Sequence, residues 1–304
     1  MIKVMNVTKK LEDYVALSDL SCTIPKGSVF GLIGSNGAGK STLLRVMTGV
    51  YRPQAGVVSV DAAPVYENPE AKAKMVYVPD ELYFLPGANL GRMAKLYSAV
   101  YENFDHARFD ELITRFKLDV KMNIHKFSKG MKRQAAIILA LSTKADYLFF
   151  DETFDGLDPV KRNLVRQLIA ADAVERNATV IITSHSLREL EDTCDQLALL
   201  HDGGIVFESD VQNLKTSLFK VQIAFLDAYD ASKFDALTTL SYTKNGSVAN
   251  FIVRGDREET EALLAEMKPV LLEILPLSLE EVFIHEMESA GYVFADVLGG
   301  EDDV

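Results

Sequence analysis

A glycine-rich stretch at residues 34–42 has the residue types and the spacing needed to bind phosphate groups. Its sequence, GSNGAGKST, fits the pattern of a glycine, four free positions and then Gly-Lys-Ser/Thr. Glycine lets the backbone curl with its N–H groups pointing inward towards an anion, in conformations that a β-carbon would penalise. We expect Lys40 to reach the β- and γ-phosphates of a nucleotide and the hydroxyl of Ser41 to ligate Mg²⁺.

A strand and a helix must position this loop, and the flanking sequence predicts both. Residues 29–33 are apolar, as in a buried strand, and residues 43–47 read as a helix that ends near Gly49. Strand, glycine-rich loop and helix form the context that the phosphate pattern requires, and the helix N-terminus adds partial positive charge. The alternative is a glycine-rich turn with a chance lysine, and this context argues against it.

Two carboxylates and one histidine follow other predicted strands. Residues 146–152 predict a buried strand that ends in Asp151 and Glu152. Beside a phosphate loop, Asp151 is placed to hold Mg²⁺ directly or through water, and Glu152 to polarise an attacking water. His185 follows the apolar strand 179–183. A lone histidine there is more often a cap or a core partner, but the loop and the acidic strand end favour a role in the same site.

Cations cluster at the start of a further predicted helix. Ser128 is a suitable N-cap for the helix that includes the apolar run 135–141. Lys129, Lys132 and Arg133 fall in its first turn, where positive charge is unfavourable beside the helix dipole unless an anion lies nearby. The cluster therefore predicts an anion at this helix start.

Tyr14 is an aromatic residue a short way before the phosphate loop. Its flat ring is able to stack on a purine base. A tyrosine packed on a sheet surface is the commoner arrangement, so Tyr14 by itself decides nothing.

Composition and charge limit the classes of protein to consider. The chain has 304 residues, enough for a domain with a full core and a smaller second one. Its 32 basic and 44 acidic residues give a net charge of −12, which argues against a broad nucleic-acid or anionic-lipid surface. The longest apolar runs are far shorter than the roughly 20 residues of a membrane span, and no signal peptide is evident. Cys22 and Cys194 lack metal-ligand spacing and predict buried thiols in a reduced, cytosolic compartment.

The ordered set of motifs over about residues 1–214 resembles the nucleotide-binding subunit of an ABC transporter. The phosphate loop precedes a signature-like FSKGM at 127–131, where the family usually has Leu-Ser-Gly-Gly-Gln. The Walker B residues Asp151 and Glu152, the D-loop at 156–158 and the switch residue His185 follow in order. A nucleotide kinase or a small GTPase would lack the signature element and the late histidine.

The resemblance implies ATP and Mg²⁺ as ligands and two ATP sites shared between two ATPase subunits. Glu152 would be the catalytic base, His185 would contact the γ-phosphate, and Asp158 would lie at the dimer interface. Whether the dimer is a homodimer or a heterodimer stays open. The resemblance assigns nucleotide binding to Tyr14, Ser35, Asn36, Gly37, Ala38, Gly39, Lys40, Ser41 and Thr42, metal binding to Ser41, Asp151 and Asp80, and a signature acting on the opposing subunit to Ser128, Lys129, Gly130 and Met131.

Two departures from the family pattern bear on the site. The family usually carries a glutamine that ligates Mg²⁺ and senses the membrane subunit where this chain has Asp80, which can still ligate Mg²⁺ but adds negative charge. The signature has Lys129 in place of glycine and Met131 in place of glutamine. Together with the runs at 79–81 and 103–105, this signature resembles the ATPases of bacterial type-2 ABC exporters, which pair with a separately encoded permease.

The predicted fold class is α/β, a P-loop NTPase of the ABC type with a second, smaller α/β domain. Residues 1–214 form the ATPase domain, with a mostly helical insert at about 85–142 and an edge strand at 2–9. Residues 215–290 form the accessory domain, in which Ser278 and Glu281 predict a capping box. Residues 291–304 are an acidic tail.

The leading hypothesis is an ATPase subunit that drives a membrane permease, with export as the expected direction. Such a subunit would lie on the cytoplasmic face of the membrane, held there by the permease. One alternative is a soluble ABC ATPase acting on nucleic acid or ribosomes; tandem ATPase halves and long coiled coils, usual in those relatives, are not evident, and no nucleic-acid partner is expected. The other is a nucleotide-dependent regulatory switch, against which Glu152 and His185 argue.

Overall fold

The computed structural model describes residues 1–289, 291 and 292. The chain divides into two compact units, of which the first is Met1–Glu208 and the second begins at Ser209. The domain bounds and the roles expected from the sequence stay predictions. Apart from residues 291 and 292, the predicted acidic tail lies outside the described residues.

Strands and helices alternate through the first unit. Its strands are β1 (Ile2–Leu11), β2 (Tyr14–Ile24), β3 (Val29–Ile33), β4 (Ala55–Val60), β5 (Ala63–Pro64), β6 (Met75–Val78), β7 (Tyr147–Phe150), β8 (Thr179–Ser184), β9 (Gln196–His201) and β10 (Gly204–Asp210). Its helices are α1 (Lys40–Met47), α2 (Pro69–Ala73), α3 (Leu90–Val100), α4 (His106–Phe116), α5 (Lys129–Ser142), α6 (Pro159–Arg176) and α7 (Leu187–Glu191).

A largely parallel sheet carries the strands that the sequence analysis connected with the site. The described strands lie in the order β10-β9-β3-β8-β7-β6. The pairs β3–β8, β3–β9, β7–β8 and β6–β7 are parallel, and β3 and β7 are buried along their whole length. Because parallel strands all end at the same edge, the segments after β3, β6, β7 and β8 emerge side by side.

A second, antiparallel sheet has the order β2-β1-β4-β5. The prediction of an edge strand at residues 2–9 is wrong, because β1 pairs with β2 on one side and with β4 on the other. Alternating polarity shows that one face of a strand is buried, but it does not show how many neighbours the strand has. The buried face of this sheet contributes Ile2, Val4 and Leu20 to a core that also includes residues of the parallel sheet.

The helical region between β6 and β7 consists of α3, α4, a short 3₁₀ turn (Ile124–Lys126) and α5. One face of α4 is buried, through Phe109, Leu112, Ile113 and Phe116, and α3, α4 and α5 begin at side-chain caps, as expected for short helices stabilised by packing. Asn89, Asp105 and Ser128 each accept a bond from a backbone N–H in the first turn. In the part of the chain that the structure describes, no helix combines the length and apolarity needed to cross a membrane.

The second unit is a small α/β fold. It contains α8 (Val211–Ser217), β11 (Leu218–Ala224), β12 (Thr239–Asn245), β13 (Val248–Arg254), α9 (Arg257–Glu266), β14 (Leu271–Pro276) and α10 (Leu279–Ser289). Its described strands form an antiparallel sheet in the order β12-β13-β11-β14. One face of this sheet carries an aromatic core that includes Phe234 and Phe251. The predicted capping box is confirmed, because Ser278 N and Glu281 N each donate to the other residue's side chain.

Both cysteines are free and buried, as predicted. Burial, with a smaller contribution from the charge of Glu208, raises the pKa of the Cys22 thiol to about 12. Burial likewise raises the pKa of the Cys194 thiol. Both side chains therefore act as apolar groups in the core.

Candidate functional site

The phosphate loop joins β3 to α1, as predicted. Gly37 and Gly39 have φ values of 88° and 108°, a region that favours glycine. A β-carbon on Gly34 would lie 2.4 Å from Leu200 O, and one on Gly39 would lie 2.6 Å from Ala16 O. Conformation and close packing therefore both require glycine in this loop.

Lys40 is the first residue of α1, and its side chain is only 6% exposed. Its ammonium group donates to Gly34 O at 2.6 Å and to Ser35 O at 3.1 Å, and it lies 3.2 Å from Glu152 Oε1. An ammonium group has three hydrogens to donate, and three oxygens surround this one. Phosphate oxygens are acceptors of the same kind, so the geometry suits a phosphate held in the loop.

Asp151, directly after β7, is fully buried and held by two hydroxyl groups. Thr183 Oγ1 donates to Asp151 Oδ1 at 2.7 Å, and Tyr77 OH donates to Asp151 Oδ2 at 3.0 Å. Burial, with the charge of Asp151 as the next cause, raises the pKa of the Tyr77 phenol, so the phenol remains a donor at neutral pH. These bonds stabilise a buried carboxylate whose desolvation would otherwise be costly.

Tyr77 and Thr183 belong to no motif that the sequence shows, and they were not predicted as site residues. The signal for Thr183 was a hydroxyl at the carboxyl end of a buried strand. Tyr77 gave a weaker signal, because its position beside β7 follows only from the pairing of Tyr77 with Phe149.

Glu152 connects the phosphate loop to His185. Its Oε1 contacts Lys40, its Oε2 lies 3.0 Å from His185 Nδ1, and its side chain is 14% exposed. Glu152 has a φ of 46°, in the left-handed region that non-glycine residues rarely adopt, and its N–H donates to Thr183 Oγ1 at 3.0 Å. Strained backbone of this kind is concentrated at functional sites. A carboxylate held between a lysine and a histidine can orient and deprotonate a water molecule.

A cleft of about 300 Å³ brings most of the predicted ligand-binding residues together. Tyr14 lies at its rim, 55% exposed, with its OH 3.5 Å from Gly37 O. Ala38 is buried and does not line the cleft. The lining residues are Leu11, Tyr14, Ala16, Ser35, Asn36, Gly37, Gly39, Lys40, Ser41, Thr42, Asp80 and Glu152.

The predicted signature residues lie at the start of α5 and do not line this cleft. Ser128 Oγ accepts from Met131 N at 3.2 Å, which confirms the predicted cap. Gly130 packs so closely on the D-loop that a β-carbon there would lie 2.6 Å from Gly156 O. Asp158, also outside the cleft, caps α6 by accepting from Lys161 N at 3.0 Å.

Carboxylates of the chain itself lie beside the cation cluster of α5. Lys129 Nζ is 3.3 Å from Asp155 Oδ2, and both side chains are largely exposed. Arg133 Nη2 is 2.6 Å from Asp80 Oδ1. The predicted anion near this helix start is therefore present, as two carboxylates from other segments.

The donor set at the cleft fits Mg²⁺. Ser41 and Asp80 line the cleft, and Asp151 follows β7 at the same edge of the sheet. Among the described residues, no group of three or more His, Cys, Asp and Glu side chains could hold a metal ion. Mg²⁺ usually takes one or two carboxylates and completes its shell with water and substrate phosphates, so an all-protein cage is not needed.

Comparison with known proteins places the chain in a family. Residues 17–155 match the family model described as ABC transporter. The chain is 30% identical over 285 residues to the ABC transporter ATP-binding protein YtrB of Bacillus subtilis, covering 93% of this chain and 97% of the relative. It is also 30% identical over 288 residues to the Nod factor export ATP-binding protein I of Burkholderia lata, covering 92% of this chain and 94% of that protein.

Solved structures share the fold of a large part of the chain. An ATP-binding subunit of an ABC transporter superposes with a TM-score of 0.65 at 24% identity, over 71% of this chain and 92% of that one. A dimeric ATP-binding cassette in a post-hydrolysis state with ADP and Pi gives a TM-score of 0.63 at 21% identity, over 69% and 99%. The chain belongs to the ABC transporter family, as an ATP-binding subunit with ATPase activity. The family resemblance and the α/β fold class expected from the sequence are thus confirmed.

Proposed function

We propose that this chain powers a separately encoded membrane permease, in the export direction, through ATP-driven closure of a dimer. The observation that carries the proposal is the position of Glu152, 3.2 Å from Lys40 and 3.0 Å from His185 beside the phosphate loop. This arrangement has the parts that hydrolysis of a γ-phosphate needs. They are a cation and backbone N–H groups for the phosphates, a base for water and a further polar group next to that base.

The phosphate loop, the charged side chains beside it and Tyr14 each have a role in this proposal. The loop N–H groups and Lys40 bind the phosphates. The ammonium group of Lys40 then leaves the Glu152 carboxylate and contacts phosphate oxygens instead. Glu152, released from Lys40 but still beside His185, accepts a proton from the attacking water. Ser41, Asp80 and Asp151 would hold Mg²⁺, which neutralises charge on the phosphate oxygens. Tyr14 at the rim offers its ring to the base.

The signature residues act on a second subunit in this proposal. Ser128–Met131 form the N-terminus of α5, where the first backbone N–H groups and the helix dipole favour an anion. Because these residues lie outside the cleft of their own chain, a partner's γ-phosphate is a suitable anion for them. The close contact of Gly130 with Gly156 joins the signature to the D-loop, so both would meet the partner together.

The membrane permease is the second partner of the proposal. Two matched relatives bear names that describe transport, the Nod factor export protein and the bacitracin transport ATP-binding protein BcrA. Exposed apolar residues offer a surface for a permease, since such patches mark interaction sites. One such residue is Tyr83, which is 77% exposed. It belongs to the segment 82–86, which lines a cavity of about 190 Å³ together with Ile124 and His125. The chain would then lie at the cytoplasmic face of the membrane.

Light scattering on the Glu152→Gln variant tests dimer closure. Without its base the variant should retain bound ATP, so we expect a dimer with Mg-ATP and a monomer without nucleotide. The variant Lys40→Ala/Glu152→Gln is the control and should stay monomeric, because it lacks the phosphate-binding cation. A Glu152→Gln chain that binds ATP and remains a monomer at high concentration would contradict closure of a homodimer.

A further inference from the structure

Arg133 is a buried cation in the signature helix α5, with its side chain only 1% exposed. Its two terminal nitrogens contact adjacent residues of another segment. Nη2 lies 2.6 Å from Asp80 Oδ1, and Nη1 donates to Pro79 O at 3.1 Å. A buried guanidinium group is costly unless an anion pairs with it, so Asp80 offsets the charge of Arg133. The planar fork holds the segment with two separate nitrogens in a fixed geometry, whereas a lysine would have to reach both oxygens from a single nitrogen.

Asp80, at the other end of this contact, belongs to the cleft. It follows β6, and its half-exposed side chain lines the cleft together with Lys40, Ser41 and Glu152. The bond from Arg133 occupies Oδ1. Among the described residues no donor bonds to Oδ2, so this oxygen is available to a hydrated cation that accompanies a nucleotide.

We propose that Arg133 is a positioning residue of the nucleotide site. Its bonds to Pro79 O and Asp80 Oδ1 keep Oδ2 of Asp80 at the cleft. Because Arg133 belongs to α5, the position of this oxygen depends on the position of α5. The proposal deepens the proposed function and rests on it. Loss of either side chain should therefore raise the Mg²⁺ concentration needed for nucleotide binding by a similar factor, because Arg133 holds the Mg²⁺-binding oxygen of Asp80 in place.

A double-mutant cycle in the full chain tests this coupling. The measured quantity is the Mg²⁺ concentration that gives half-maximal binding of a ribose-labelled fluorescent ATP, which does not depend on turnover. Loss of a group that orients a metal ligand commonly weakens metal affinity by about 10-fold or more. We expect Asp80→Asn and Arg133→Gln each to raise the Mg²⁺ requirement by about 10-fold, and the double variant to raise it by about 10-fold as well.

Arg176→Gln is the matched control. Arg176 also forms a fork, with Asp172 Oδ2 at 2.9 Å and with Lys144 O at 3.0 Å, but it lies near the start of β7, at the opposite edge of the sheet. This variant should lower the melting temperature without changing the Mg²⁺ requirement. If the role of Arg133 were only structural, Arg133→Gln would likewise lower the melting temperature and leave the Mg²⁺ requirement unchanged.

Two results would overturn the proposal. One is an unchanged or lower Mg²⁺ requirement in a folded Arg133→Gln chain. The other is a double variant whose effect is the product of the single effects, about 100-fold. If Arg133→Gln does not fold, Arg133→Lys replaces it, and an unchanged Mg²⁺ requirement in that variant contradicts the two-point grip.

The same experiment separates this inference from the proposed function. If the unaltered chain fails to bind the labelled ATP, the proposed function itself fails. If the unaltered chain binds the labelled ATP with Mg²⁺ dependence and the two single effects multiply in the double variant, only the inference about Arg133 fails.

Discussion

At the scale of single residues, the site is a set of charges arranged around Glu152. Its backbone is in a strained conformation, and Thr183 accepts its N–H while also donating to Asp151. One hydroxyl group therefore fixes both acidic residues at the end of β7. Lys40 and His185 contact the two oxygens of the Glu152 carboxylate, so the proposed base and the proposed phosphate-binding cation are already within contact distance.

Lys40→Ala should weaken ATP binding by about 100-fold. A charged hydrogen bond to phosphate contributes up to about 3 kcal/mol, and each 1.4 kcal/mol corresponds to about a factor of ten in affinity. Equilibrium binding of a fluorescent ATP measures the change. Lys72→Ala is the control, because Lys72 also donates to a backbone carbonyl, Gly49 O at 2.9 Å, but does not line the cleft. Equal affinities for Lys40→Ala and the unaltered chain would remove Lys40 from the site.

His185→Ala should bind ATP with nearly unchanged affinity and hydrolyse it about 100-fold more slowly. His185 contacts Glu152, the proposed base, and not the phosphate loop, so its loss should disturb the arrangement around the attacking water. Phosphate release under saturating ATP measures turnover. The exposed His106, changed to alanine, is the control and should keep normal turnover. Near-normal hydrolysis by His185→Ala would show that His185 has no part in the reaction.

At the scale of elements, helix α5 contacts two segments that follow strands of the parallel sheet. Arg133 contacts the segment after β6, and Gly130 packs on the D-loop after β7. A displacement of α5 would therefore move Asp80 and the D-loop with it. The opposing subunit, in the proposed mechanism, meets α5 at the same turn.

Gly130→Ala should lower ATPase activity without weakening ATP binding to the chain. The new β-carbon would lie 2.6 Å from Gly156 O, so α5 or the D-loop must shift, while the cleft itself keeps its lining. Such overpacking costs about 1–3 kcal/mol and should also lower the melting temperature. Gly91→Ala in α3 is the control, because its β-carbon would meet side-chain atoms and no backbone atom: a Val120 methyl group at 3.3 Å and Asn89 Oδ1 at 3.6 Å. Full ATPase activity in Gly130→Ala would contradict a signature role for this position.

At the scale of the whole molecule, the chain carries two units with separate apolar cores. The cleft and the proposed signature belong to the first unit. The second unit is stabilised by packing of aromatic rings, of which Phe234 and Phe251 lie 4.6 Å apart between centroids. Structural support, dimerisation or regulation stay open as roles of this unit.

Phe251→Ala should destabilise the second unit by about 3–5 kcal/mol. The side chain is 1% exposed, and its removal leaves a cavity in the aromatic core. Calorimetry with and without nucleotide should show a lowered transition for the second unit, with the nucleotide-stabilised transition of the first unit unchanged. Leu226→Ala is the control: its side chain is 91% exposed, and its removal should change stability by less than about 0.5 kcal/mol. An equal shift of both transitions would show that the two units unfold together.

Local sequence was enough to predict the phosphate loop, the strands that precede Asp151 and His185, and the cap at Ser128. These features depend on residues close together in the chain, and parallel strands bring their carboxyl ends to one edge whatever the details of packing. Local sequence did not predict that β1 lies inside its sheet, that Tyr77 and Thr183 donate to Asp151, or that Arg133 contacts Asp80. Arg133 and Asp80 are 53 positions apart, and Thr183 and Asp151 are 32 apart. Contacts over such separations depend on which strands and helices become neighbours, and no local pattern of residue types encodes that choice.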